Sequence, residues 1–221
     1  MATTEPRPND VINLTQLKKN SANLRVWHWI NALVITGSLL TVLINSTLLD
    51  PHTNADFIKS LLHQEGAIIS PEQAGTVARG LEDKVWDIHI YFGYIITGLL
   101  LFRIIVEFFQ HSDQNFLKRL TIVWKAYKKP ATGTKNALHE LAVKILYLAF
   151  YLLLVVMVLT GLSLAFKRNL GISKSIAHSI SEVHGFCMYL FIAFIIVHVA
   201  GVLFAERKEG KGIVSDMING G

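Results

Sequence analysis

Four long apolar runs constrain the fold of this chain more than any other feature of its sequence. They cover roughly residues 26–48, 86–109, 138–166 and 182–205. Each run is long enough to cross a bilayer, which takes about 20 apolar residues in a helix. A helix also satisfies its own backbone hydrogen bonds within one segment, as hydrocarbon requires. The sequence therefore predicts an all-α integral membrane protein, a four-helix bundle whose spans run alternately up and down.

The predicted bundle has short polar segments at both ends. We expect an N-terminal segment at residues 1–24, a four-helix domain at 25–205 and a C-terminal amphipathic segment at 206–221. The apolar core of a cleavable signal peptide is not found before the first span, so that span is expected to direct insertion.

The largest predicted loop joins the first two spans at residues 49–85. Within it, the stretch ADFIKSLLHQ has the apolar spacing of a short helix, and Ser70 followed by Pro71 indicates the start of another. The short helix is either a surface element packed on the bundle or a docking surface for an external partner. The sequence leaves both interpretations open.

Basic residues are concentrated before the first span, between the second and third spans, and after the fourth. By the positive-inside rule, both termini are predicted to lie in the cytoplasm. The net charge of +5 follows from this topology, and no basic surface with interleaved aromatic residues indicates nucleic-acid binding. Cys187 is the only cysteine, which excludes an intrachain disulfide or a multi-thiolate metal site.

Four histidines lie in the spans or at their ends. His28 lies at the cytoplasmic entry of the first span, His89 near the outer start of the second, and His184 and His198 on the fourth. Fourteen helical residues correspond to a rise of about 21 Å and a return to within about 40° of the same face. We therefore pair His89 with His184 on the outer side, and His28 with His198 on the inner side.

Two imidazoles at each of two depths suit two b-type haems, whose low-spin iron takes two axial nitrogen ligands. Any single histidine could instead be an interfacial or hydrogen-bonded polar group, but ionisable residues inside spans are usually functional. Zinc would require three or four ligands at one depth, and an ion channel would require a polar lining where these spans are apolar. The pattern therefore predicts two bis-histidine haems b.

Further polar residues are predicted near the inner haem. Arg103 could bind a haem propionate or pair with Glu107, four residues later. His139 is interpreted as a quinone-site donor, as a replacement for His28 as ligand, or as an interfacial histidine. Lys144 either contributes to the quinone site or extends to the membrane surface. Because these groups gather on the inner side, we predict the quinone pocket there.

Several short motifs, in order along the chain, resemble those of a known family. The matching positions are Arg25 to Trp29 (R-V-W-H-W), His89 with Gly93, Tyr94 and Arg103, Lys129-Pro130 with Gly133 and Asn136, Thr160-Gly161, the spacing of His184 and His198, and Ile213 to Gly220. With these motifs, the sequence is similar to the bacterial di-haem cytochrome b family of nickel–iron hydrogenase and formate dehydrogenase membrane (gamma) subunits. Lys135 departs from the pattern, because the family's turn has a histidine there.

The resemblance implies a membrane-anchoring electron-transfer subunit in the bacterial cytoplasmic membrane, rather than a self-contained enzyme. It would pass electrons between a periplasm-facing, hydrogenase-like iron–sulfur or other redox subunit and the quinone pool, with menaquinone or ubiquinone as substrate. It would belong to a larger complex, in which it could form a homo-oligomer. Two alternatives stay open, namely a stand-alone superoxide/quinone oxidoreductase and a quinol-oxidising subunit that feeds a periplasmic reductase.

Overall fold

The computed structural model describes residues 22–109, 134–208 and 217–218. Nearly all of the two long described ranges is helical, and neither contains a strand. We number their helices α1 (Ala22–Thr47), α2 (Pro51–Gln64), α3 (Pro71–Phe109), α4 (Thr134–Ala165) and α5 (Lys174–Lys208).

Four of these helices, α1, α3, α4 and α5, contain segments that are long and apolar enough to cross a membrane. Many of their large apolar side chains are exposed, as expected for side chains that contact lipid rather than a protein core. The prediction of an all-α membrane protein with four spans is therefore confirmed.

Helix α3 begins at Pro71, well before the apolar run that starts near residue 86. The Ser70 hydroxyl accepts a hydrogen bond from the Gln73 backbone N–H at 3.2 Å, and the Gln73 side chain accepts one from the Ser70 N–H at 2.8 Å. This reciprocal capping box satisfies two backbone donors at the helix start. The predicted start at Ser70 and Pro71 is confirmed, but the helix then continues unbroken through polar turns that the apolar run does not mark.

Helix α2 lies between the first two spans, as the apolar spacing predicts. Asp50 caps it, because its carboxylate accepts hydrogen bonds from the Thr53 backbone N–H at 2.9 Å and the Thr53 hydroxyl at 3.0 Å. Pro51 occupies the first turn, where its missing N–H costs nothing. None of the α2 residues is buried, so α2 is a surface helix. Its role as a docking element stays a prediction.

The larger of two compact units covers residues 31–195. Its apolar core is formed by Leu100 of α3, Leu154 of α4 and Phe191 of α5, all of which are buried. Helix α1 packs closely on α3 at Gly37, where an added Cβ would lie 2.6 Å from the ring of Phe92. Four helices therefore pack together in this unit.

The smaller unit contains the described residues before Asn31 and after Ile195. In it, the indole N–H of Trp29 donates a hydrogen bond to the Met217 backbone carbonyl at 3.0 Å. The C-terminal segment therefore contacts the start of α1 at this point. The rest of the predicted amphipathic pattern, including Ile213 and Val214, lies outside the described residues.

Candidate functional site

His89 of α3 and His184 of α5 face each other in the larger unit. Their ring centres lie 6.4 Å apart, and their ring planes are inclined at 83°. Both side chains are half-buried. The structure thus brings together two histidines that the sequence paired, although 95 positions separate them along the chain.

A threonine from a neighbouring helix contacts each ring of this pair. The Thr41 hydroxyl on α1 lies 2.9 Å from Nδ1 of His89, and the Thr160 hydroxyl on α4 lies 2.8 Å from Nδ1 of His184. Each of the four span-containing helices, α1, α3, α4 and α5, therefore contributes a side chain to one site.

A cavity of about 510 Å³ is lined by both rings and is otherwise mostly apolar. Its volume lies in the range of small-molecule and cofactor pockets, about 300–1,000 Å³. Gly93 lines the cavity, and a Cβ added there would meet no atom within 4 Å. At Gly161, an added Cβ would lie 3.3 Å from the ring of His184. The glycines keep space open beside the histidine pair.

His28 of α1 and His198 of α5 form a second pair, in the smaller unit. Their ring centres lie 6.2 Å apart, and their planes are inclined at 53°. Nδ1 of His28 is buried without a hydrogen-bond partner among the described residues. A buried polar nitrogen of this kind usually has a hydrogen-bond partner. His198 lies on a more exposed part of its helix.

Both ring-centre distances fit two imidazoles that bind one metal ion from opposite sides. A metal–imidazole bond is about 2.0 Å long and the ring centre lies roughly 1.2 Å further on, so two such rings are about 6.4 Å apart. The observed 6.4 and 6.2 Å match this arrangement. Among the described residues, no three histidine, cysteine or acidic side chains converge on one point. The pairs therefore suit a macrocycle that supplies the other ligands.

Arg103 lies in a separate cluster with two tyrosines of α4. Its guanidinium donates hydrogen bonds to the Tyr151 hydroxyl at 3.2 Å and the Tyr147 hydroxyl at 3.3 Å, and the two hydroxyls lie 3.0 Å apart. Neither tyrosine was predicted from the sequence as part of a site, although their spacing of four residues places them on one helical face. The side chains of Glu107, His139 and Lys144 lie outside the described residues.

The sequence did not predict Thr41 as a site residue, and it indicated Thr160 only as part of a family motif. A threonine inside a span is commonly hydrogen-bonded to its own helix backbone, so neither residue stands out as functional in the sequence. Only the packing of α1 on α3, and of α4 on α5, shows that each contacts a histidine.

The family of the chain is indicated by a comparison with protein-family models. The model described as prokaryotic cytochrome b561 matches residues 21–220, which includes all five described helices and both histidine pairs. No curated protein and no solved structure gave a significant match to the chain. The family match covers nearly the whole sequence, so this chain belongs to the prokaryotic cytochrome b561 family of membrane electron-transfer proteins, which bind haem b.

Proposed function

We propose that this chain is a di-haem membrane subunit that passes electrons between a periplasm-facing redox partner and the quinone pool. One haem b would be held by His89 and His184, and the other by His28 and His198. The observation that carries this proposal is the ring-centre spacing of 6.4 and 6.2 Å in the two pairs.

The bound haems would supply one-electron redox chemistry, and the chain would supply ligands and surroundings. With a histidine on each face, neither iron would keep an open position for oxygen, which favours electron transfer over oxygen activation. The apolar lining of the 510 Å³ cavity would exclude water from the ring pair. We also propose that Arg103 binds a haem propionate, since a guanidinium can make two parallel bonds to a carboxylate.

The distribution of basic residues supports an orientation with both termini in the cytoplasm. Helix α2 would then lie on the periplasmic side. Because none of its residues is buried, α2 is the described element most available to a periplasm-facing subunit. The nickel–iron hydrogenase resemblance favours an iron–sulfur partner.

The first test measures the haems of the purified protein. We expect about two haems b per chain, with low-spin spectra that carbon monoxide leaves unchanged, because two histidines would hold each haem iron. Haem content is measured as the pyridine haemochrome. We also expect a quinol analogue to reduce the haems in membranes. A single haem, or a high-spin spectrum, would contradict the proposed ligation.

The choice of partner can be tested in the same preparations. A subunit should co-purify with a redox protein and exchange electrons with it. A stand-alone superoxide/quinone oxidoreductase should instead reduce quinone with superoxide when purified alone. A quinol-oxidising subunit would pass electrons to a periplasmic reductase and would retain no hydrogenase-like partner.

The quinone pocket is proposed on the inner side, with His139 as its first candidate and Lys144 as the second. A quinone carbonyl requires a hydrogen-bond donor, and its reduction requires protons from water, both of which this side would offer. Replacing His139 with leucine is expected to slow quinone-linked turnover while both haem spectra persist. Loss of the inner haem would make His139 a ligand, whereas normal quinone kinetics would place the pocket elsewhere.

A further inference from the structure

Two threonine hydroxyls of the larger unit have the same hydrogen-bond arrangement. Each donates its single hydrogen to a carbonyl of its own helix, Thr41 to Ser38 and Thr160 to Val156 at 2.7 Å. Each also lies within hydrogen-bond distance of a histidine Nδ1. A hydroxyl has one hydrogen and two lone pairs, so towards the histidine each oxygen accepts.

The hydrogen-bond direction assigns the tautomer of both rings. If the threonine oxygen accepts, Nδ1 of His89 and of His184 carries the hydrogen. In a neutral imidazole the other nitrogen then keeps its lone pair. Nε2 is therefore the nitrogen available to a metal in both rings. In histidine-ligated metal sites, a hydrogen-bond acceptor at the other ring nitrogen commonly fixes the tautomer in this way.

We infer that Thr41 and Thr160 are positioning residues, which hold the His89 and His184 rings in the tautomer and orientation that bind haem iron. The inference rests on the proposed function. An acceptor at Nδ1 makes an imidazole more basic, which stabilises ferric over ferrous iron and lowers the midpoint potential. It also restrains rotation of each ring, and so maintains the 83° angle between the two planes.

The two threonines should not contribute equally. Nδ1 of His89 has two further neighbours on Ser38, the backbone carbonyl and the hydroxyl, each at 3.3 Å. Among the described residues, the Thr160 hydroxyl is the only recorded partner of Nδ1 of His184. Removing the Thr160 hydroxyl therefore leaves Nδ1 of His184 with no acceptor in the described part of the chain, whereas His89 without Thr41 can still donate to Ser38.

The test compares valine and serine at these positions. Thr160→Val keeps the shape of the side chain and removes the hydroxyl, while Thr160→Ser keeps the hydroxyl. We expect Thr160→Val to raise the midpoint potential of the haem by about 59 mV, which for one electron is a change of about tenfold in the ferric-to-ferrous ratio at a given potential. Thr41→Val should raise the midpoint potential by less. The measurements are redox titration and EPR of the ferric haem, in which crossed imidazole planes give a strongly anisotropic low-spin signal.

Thr47→Val is the matched control. The Thr47 hydroxyl also donates to a carbonyl of its own helix, that of Leu43 at 2.6 Å, and has no recorded histidine contact in the described structure. Its variant should leave the potential and the EPR signal unchanged. Loss of one haem in Thr160→Val, with retention in Thr160→Ser, would also support the inference.

Three results would overturn it. One is a Thr160→Val protein whose potential and EPR signal equal those of the wild type. Another is an equal shift in Thr47→Val, which would mean that the histidine contact is not the cause. The third is a wild-type chain without low-spin haem, which would overturn the proposed function as well as this inference. The first two results would overturn this inference alone.

Discussion

A His184→Leu protein is expected to contain about half the haem of the wild type, because one of the two proposed sites loses one of the two histidines that would hold the iron. Leucine has no lone pair to donate to iron, and its size is similar enough to histidine for α5 to keep packing. The ring of His184 would also no longer bond to Thr160. The measurement is haem content per chain, with a redox titration that should show one component in place of two.

His178→Leu is the control for this variant. His178 lies on the same helix and is bonded to Glu182 at 3.3 Å, with both side chains largely exposed. An exposed contact of this kind contributes little to stability, so we expect this protein to keep both haems. A His184→Leu protein with wild-type haem content and spectra would refute the assignment of His184 as a ligand.

Replacing His28 with leucine is expected to remove the other haem and to stop electron flow between the partner and quinone. His28 and His198 belong to the smaller unit, whereas His89 and His184 belong to the larger one. The haem between His89 and His184 should therefore persist. Its EPR signal identifies it, because its ring planes cross at 83° against 53° in the other pair.

His52→Leu serves as the matched control for haem content, since His52 lies exposed on α2 and is outside both pairs. It should retain both haems. If His28→Leu keeps both haems, His28 is not a ligand and His139 becomes the candidate for that position. If the strongly anisotropic signal disappears instead, the two pairs have been assigned to the wrong spectral components.

Much of the fold followed from local features of the chain. In lipid, a single apolar run of bilayer length satisfies its backbone hydrogen bonds within itself by forming a helix. The four spans could therefore be predicted without knowing their contacts. The start of α3 could also be predicted, because Ser70, Pro71 and Gln73 form the helix start with atoms of neighbouring residues. The full length of α3 could not be predicted, because hydropathy does not show that a helix continues through polar turns.

The pairing of the histidines could also be predicted from the spacing of residues along the helices. His184 and His198 lie on one helix, where spacing alone sets their relative direction, and the other two histidines were matched to them by depth. The structure brings both pairs together, while their binding of iron stays a prediction.

The contacts of Thr41, Thr160, Tyr147 and Tyr151 were decided only by the tertiary structure. A hydroxyl inside a span can always bond to its own helix, so the sequence does not show which hydroxyls also reach another helix. That depends on how each helix is rotated about its axis and how closely it packs, as at Gly37 and Gly161. Rotation and packing arise from contacts between helices, which no single helix encodes.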